Sequence, residues 1–133
     1  MNKTMNNKIA IPGAIQVTQD EVLILTQDMK AEVLYGGSVD VLWGGYAWIY
    51  KGGFGHIFNH GAATIYEGAF CIVEHGGKAL CIDHSFTLVR KGGFAYFKSG
   101  AMGWIEEGGF VYAEKFAKVY GPGNRVLEKD LIR

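Results

Sequence analysis

Cysteine and proline are nearly absent from this 133-residue chain, which holds two of each. Two cysteines do not make a disulfide framework. Net charge is also missing, because thirteen basic residues cancel thirteen acidic ones. That balance argues against broad attraction to nucleic acid or an anionic membrane, and equally against the strongly acidic face of a DNA mimic. No segment approaches the roughly 18 apolar residues of a membrane span. The opening MNKTMNNKIAIPGAI has no long apolar run and no small-residue cleavage pattern, so it does not read as a secretory signal. Synthesis in the cytoplasm is the expectation, with a virion as the destination if the protein works outside a cell. Metal and nucleotide motifs are missing too: there is no HxH, CxxC, HExxH, P-loop, dinucleotide fingerprint or nucleophile elbow. The chain is therefore expected to be no enzyme, to have no catalytic residues and to carry no cofactor or metal. Disorder is excluded by the 49% hydrophobic content set against 20% charged.

What the chain has in abundance is glycine, and the glycines keep time. Pairs fall at Gly36-Gly37, Gly44-Gly45, Gly52-Gly53, Gly76-Gly77, Gly92-Gly93 and Gly108-Gly109, always at a multiple of eight. Near-variants fill the missing beats at His60-Gly61, Gly68-Ala69, His84-Ser85, Gly100-Ala101 and Phe116-Ala117. With the pair as positions one and two, residues 12–123 divide into fourteen octads. Internal repetition at a fixed period signals a repeat architecture. Positions three to seven are rich in β-branched and aromatic residues and read as a strand. Positions seven, eight, one and two read as a turn, where glycine supplies φ > 0 without steric cost.

A longer period decides between hairpins and a coil. At position four, alanine recurs in every second octad as Ala47, Ala63, Ala79 and Ala95, followed by Val111. At position three, Phe54, Phe70 and Phe86 also recur at sixteen, followed by Met102. A two-strand coil of sixteen residues stacks each such row into a ladder about 4.8 Å apart. A meander of hairpins gives no reason for identity at i+16. The expected fold is all-β: a single-domain β-solenoid, two octads per coil, about seven coils, roughly 34 Å long. Exposed strand edges at its ends need caps. Residues 1–11 are one candidate cap. Residues 124–133 are the other, with Val126, Leu127 and Leu131 on one side of a short helix.

Side-chain volumes place positions two, four and six inward. Large faces small in Val41 with Ala47, Ile57 with Ala63, Val73 with Ala79 and Val89 with Ala95; Gly55 would face Ile65, and Phe97 would face Gly103. Cys71 and Cys81 then meet in the core as reduced thiols, acting as small hydrophobes. Positions three, five and seven point outward. They carry Tyr46, Trp48, Phe54, Phe70, Phe86, Phe94, Tyr96, Trp104, Phe110 and Tyr112, the candidate binding face. Apolar patches on soluble proteins mark contacts, and these ring types are enriched at interfaces. Charges at position seven (Glu74, Arg90, Lys98, Glu106, Glu114) agree with that orientation. The alternative is reversed faces, with the aromatics filling a wider core. His60, His75, Glu67, Asp83 and His84 sit at turns and read as solvated residues, not as zinc ligands.

The octads GGYAWIYK and GGFGHIFN resemble those of bacterial ice-nucleation proteins, which also nest in sixteen-residue coils, and the GG-punctuated stalk repeats of autotransporter adhesins. The resemblance implies architecture. The Thr-x-Thr rows that would order water are missing, so ice binding does not carry over. Neither does an autotransporter passenger, for lack of a signal peptide and translocator. Octads also build the β-helical spikes of contractile phage tails, but with a Val-x-Gly arrangement, whereas position eight here is mostly polar. The functional expectation is a non-enzymatic structural or attachment module of a larger assembly, a phage or phage-like particle being favoured. Its partner would be a further copy of itself, another protein, or both. The alternatives are a small cytosolic protein that binds and blocks another protein, and a carbohydrate-binding module whose rings stack on a glycan.

Overall fold

A computed structural model describes residues 13–127, and all of the regular elements in that span are β-strands. Strands alternate between two parallel sheets. The odd sheet takes β1 (Ile15–Val17), β3 (Lys30–Val33), β5 (Tyr46–Ile49), β7 (Ala62–Ile65), β9 (Lys78–Cys81), β11 (Phe94–Phe97), β13 (Phe110–Ala113) and β15 (Asn124–Leu127). The even sheet takes β2 (Val22–Leu25), β4 (Ser38–Val41), β6 (Phe54–Ile57), β8 (Phe70–Val73), β10 (Phe86–Val89), β12 (Met102–Ile105) and β14 (Lys118–Tyr120). The chain is a β-solenoid of about seven coils. The alanine row lies in register, Ala31 against Ala47, Ala63, Ala79, Ala95 and then Val111.

The turns explain the glycine beat. The position-two N–H donates to the position-seven carbonyl, as in Gly37 to Leu34 at 2.9 Å and Gly53 to Tyr50 at 2.8 Å. That four-residue turn places position one third, with φ near +80° in Gly36, Gly44, Gly52, Gly68 and Gly76. The same conformation is forced on Asp20, Asp28, His60, His84 and Phe116. Asp and His tolerate the left-handed region better than bulky residues do, so Phe116, at φ 74°, is the strained one. Turns stack as well as strands: Gly36 N–H donates to Gly52 O, and Gly52 N–H to Gly68 O, each at 3.0 Å. At position two the constraint is contact, because a Cβ on Gly61 would lie 2.6 Å from Val41 O.

Positions two, four and six are inward, and the two sheets bury one shared core. The predicted compensation of volumes holds at Phe97, whose ring lies over Gly103. At Gly55 the partner differs. Ile49 Cδ1, not Ile65, occupies the space where a Cβ would go. An even strand sits between two odd strands in height, so side-chain direction chooses which neighbour fills the gap.

The C-terminal expectation fails where it can be checked. Asn124–Leu127 is a strand, not the start of a helix, and it pairs in parallel with β13. The register is Phe110 with Asn124 and Val111 with Arg125, so Gly121-Pro122-Gly123 shortens the last coil by two residues. The open edge of β13 offers backbone partners that a short amphipathic pattern cannot outcompete. Arg125 takes an inward register position, donating from Nη1 to Val119 O at 2.8 Å and from Nη2 to Gly121 O. Leu131 and the candidate cap at 1–11 lie outside the described residues.

Candidate functional site

The outward aromatics do not form one face. Phe54, Phe70, Phe86 and Trp104 lie on the even sheet; Tyr46, Trp48, Phe94, Tyr96, Phe110 and Tyr112 lie on the odd sheet. The two surfaces differ in chemistry.

On the even sheet, register stacks the rings directly. Phe54 and Phe70 have centroids 5.4 Å apart and Phe70 and Phe86 5.3 Å, with planes within 20°. Met102 extends this row, and a second row runs alongside through Ile72, Leu88 and Trp104. No Lys, Arg, Asp or Glu interrupts either row between Phe54 and Trp104, and His56 heads the second. Exposure rises toward the C-terminal end: Phe86 is 39% exposed, Met102 37% and Trp104 46%. Sequence reasoning on aromatics alone missed Ile72, Leu88 and Met102, although they occupy the same octad positions.

A row of alternating charge borders this stripe. Glu74 Oε2 accepts from His56 Nε2 at 2.5 Å and from Arg90 Nη1 at 3.4 Å; Arg90 Nε lies 3.8 Å from Glu106 Oε2. The His56 ring also packs on Phe58 at 4.2 Å. The border row is therefore Phe58, Glu74, Arg90, Glu106, and His56 reaches Glu74 from the second row of the stripe.

The odd sheet is patchier. Tyr46 packs edge-on against Trp48 at 4.7 Å and shares a hydrogen bond with Thr64. Tyr50 and Tyr66 stack at 4.8 Å. Farther along, Phe94 stacks on Phe110 at 5.4 Å and Tyr96 on Tyr112 at 4.9 Å, while Tyr96 donates to Glu114 at 3.0 Å. Between these clusters lies a shallow trough over Ala62, walled by Tyr46, Lys78 and Phe94. Glu32 departs from the outward rule. It holds an outward position yet is fully buried, accepting from Gln16 Nε2 at 2.9 Å and Tyr50 OH at 3.2 Å. Burial, and then the Glu32 charge, push the Tyr50 hydroxyl well above its ordinary range.

Among the described residues, no three His, Cys, Asp or Glu side chains converge as a metal site. His84 pairs only with its neighbour Asp83, at 3.0 Å, in an exposed turn. Cys71 and Cys81 are free and buried. Cys81 Sγ sits 3.1 Å from Thr87 Oγ1. Burial pushes its thiol up to about 12. Burial and the neighbouring Cys81 raise Cys71 as well.

No family model matches the chain, and no curated protein matches it. Among solved structures it is similar to the TibC-catalysed hyper-glycosylated TibA55-350 fragment, at 22% identity and a TM-score of 0.43, over 79% of this chain and 48% of that one. The chain spans about half the length of that fragment.

Proposed function

We infer that the protein is a non-enzymatic structural or attachment module of a larger assembly and docks through the outward face of the even sheet. The observation that carries this reading is the apolar stripe of Phe54, Phe70, Phe86, Met102, Leu88 and Trp104 on the outer side of the even sheet, exposed at Phe86, Met102 and Trp104 and half-buried at the others. A sheet whose outer face is meant for water alternates polar residues there, and contiguous apolar surface on a soluble domain marks a contact. A phage or phage-like particle is the favoured assembly, since octad solenoids suit the rigid parts of such particles.

The test replaces Phe70, Phe86 and Trp104 together with Ser or Thr. The native protein is expected to co-sediment, in extracts of its own source, with an assembly far heavier than its 14.6 kDa chain. The triple variant is expected to keep a β-type circular dichroism spectrum and leave that fraction. Interface aromatics each contribute on the order of 2 kcal/mol when buried at a contact, so the loss should reach several orders of magnitude in affinity. A variant that still co-sediments overturns the reading.

A further inference from the structure

We propose that the even sheet packs face to face against the even sheet of a second copy of this chain, antiparallel, about a two-fold axis that runs along the strand direction between β8 and β10. The proposal rests on the reading of this sheet as the docking face and names the partner.

Symmetry limits how two identical faces can meet. An isologous contact places the two-fold in the plane between them. If that axis runs along the rod, position across the strand is reversed, and the charged row of Glu74, Arg90 and Glu106 lies over the phenylalanine row of the other copy. That leaves charges facing rings. If the axis runs along the strands, position across the strand is kept and order along the rod is reversed. Phenylalanine then meets phenylalanine, and the charged row meets itself running backwards.

The order of that charged row selects the second arrangement. At position seven it reads Phe58, Glu74, Arg90, Glu106 along the rod, with His56 one row inside and paired to Glu74. Reversal about a point between β8 and β10 sets Glu74 opposite Arg90 of the other copy, and Arg90 opposite Glu74. It sets Phe58 opposite Glu106, and His56, in the second row, opposite Trp104. The two central contacts of the border, Glu74 with Arg90 and Arg90 with Glu74, are of opposite sign. Inside the border, Phe70 meets Phe86 and Ile72 meets Leu88, so the apolar rows cover each other in the central layers. At the far layers, Asp40 of one copy faces Tyr120 of the other and Lys118 faces Ser38, polar groups at the rim of the contact. The odd sheet has no such property, because Lys30 and Lys78 interrupt its outer row.

The area is adequate. Six overlapping layers at about 4.8 Å, each about 16 Å wide, bring the total buried surface to on the order of 1,000 Å², the lower edge of specific interfaces. Sheets stack about 10 Å apart, the thickness that opposed phenyl rings fill. The border charges set orientation more than affinity.

Two experiments decide the matter. In the first, sedimentation equilibrium over a concentration series is run on the wild type, on Glu74→Lys, on Arg90→Glu, and on an equimolar mixture of the two variants. A wild-type dimer is expected, each variant alone should associate about tenfold or more weakly, and the mixture should regain the dimer as a heterodimer. Regain in the mixture also shows that both variants fold. A monomeric wild type, or a mixture no better than its components, overturns the proposal. In the second, a spin label is placed on Gln27→Cys, an exposed turn position beyond the contact, with Cys71 and Cys81 buried and unreactive. The antiparallel pair places the two labelled backbones about 35 Å apart, seven layers along the rod, whereas an axis along the rod places them within about 25 Å. The shorter distance overturns the antiparallel geometry. If the wild type is monomeric while the Phe70, Phe86 and Trp104 variant still leaves the heavy fraction, the docking face stands and the second copy does not. If that variant changes neither measurement, the docking face itself fails.

Discussion

The ring of Phe97 lies directly over Gly103, so closely that a Cβ added at Gly103 would overlap Cε2 and Cζ of the ring and the carbonyl of Thr87. Phe97 is the largest fully buried side chain among the described residues, and the glycine is the hole it fills. Gly103→Ala is expected to destabilise by about 1–3 kcal/mol through overpacking. Urea denaturation measures it. The double variant Gly103→Ala with Phe97→Leu should recover part of the loss relative to the sum of the single changes. Strict additivity would mean that the two sites are not coupled.

Ala79 tests the core more generally. It lies inward on β9, between Ala63 and Ala95. Ala79→Leu should cost about 1–3 kcal/mol, because added methylenes must enter a filled ladder. Lys51→Ala, in an exposed turn, should change stability by less than about 0.5 kcal/mol. Equal effects at the two positions would contradict the inward placement.

Phe116 pays a backbone cost that the glycines at the same position avoid. Its φ is 74° and its side chain is exposed, with Lys115 Nζ 5.5 Å from the ring. Phe116→Gly is expected to stabilise by about 0.5–1 kcal/mol, the relief of the left-handed strain less the added chain entropy of glycine. A lower thermal midpoint in the variant would show that the ring contributes more contact than strain.

The buried thiols imply a loss of stability in alkali. Cys81 is raised from about 9 to about 12 on folding, first by burial. An acid whose folded pKa is raised favours the folded state fully below its unfolded pKa, and that contribution disappears as pH rises through the folded value. Stability should therefore fall from about pH 9 toward 12, and the shifts of Tyr50 and Tyr66 act in the same direction. Cys71→Ala with Cys81→Ala should be less stable at neutral pH yet show a shallower alkaline slope. An unchanged slope would remove the thiols as its cause. For the same reason a thiol reagent at pH 8 should label both cysteines only as fast as the chain opens.

The sequence by itself determined the coil, because its information is local and repeated. Neighbours in the ladder are sixteen residues apart in the chain, so the row Phe54, Phe70, Phe86 is legible in the sequence alone, and it is a stacked row. Turn conformation was equally legible, since φ > 0 at position one selects glycine and marks Phe116 as an exception. The inward row followed from small residues at position four. What only the tertiary structure decided depends on relations with no fixed spacing. Whether Ile49 or Ile65 fills the space at Gly55 is settled by side-chain direction across the core. Asn124–Leu127 becomes a strand because β13 would otherwise leave an unpaired edge, a demand that no local pattern in that segment expresses. Glu32 is buried at an outward position, where Gln16 and Tyr50 supply its hydrogen bonds from neighbouring coils. The ten aromatics looked like one face in a one-dimensional repeat, but alternate octads point away from each other, so the fold distributes them over two sheets with different borders. The charge order Glu74, Arg90, Glu106 has a meaning only once parallel register brings those side chains together along one border of the even sheet.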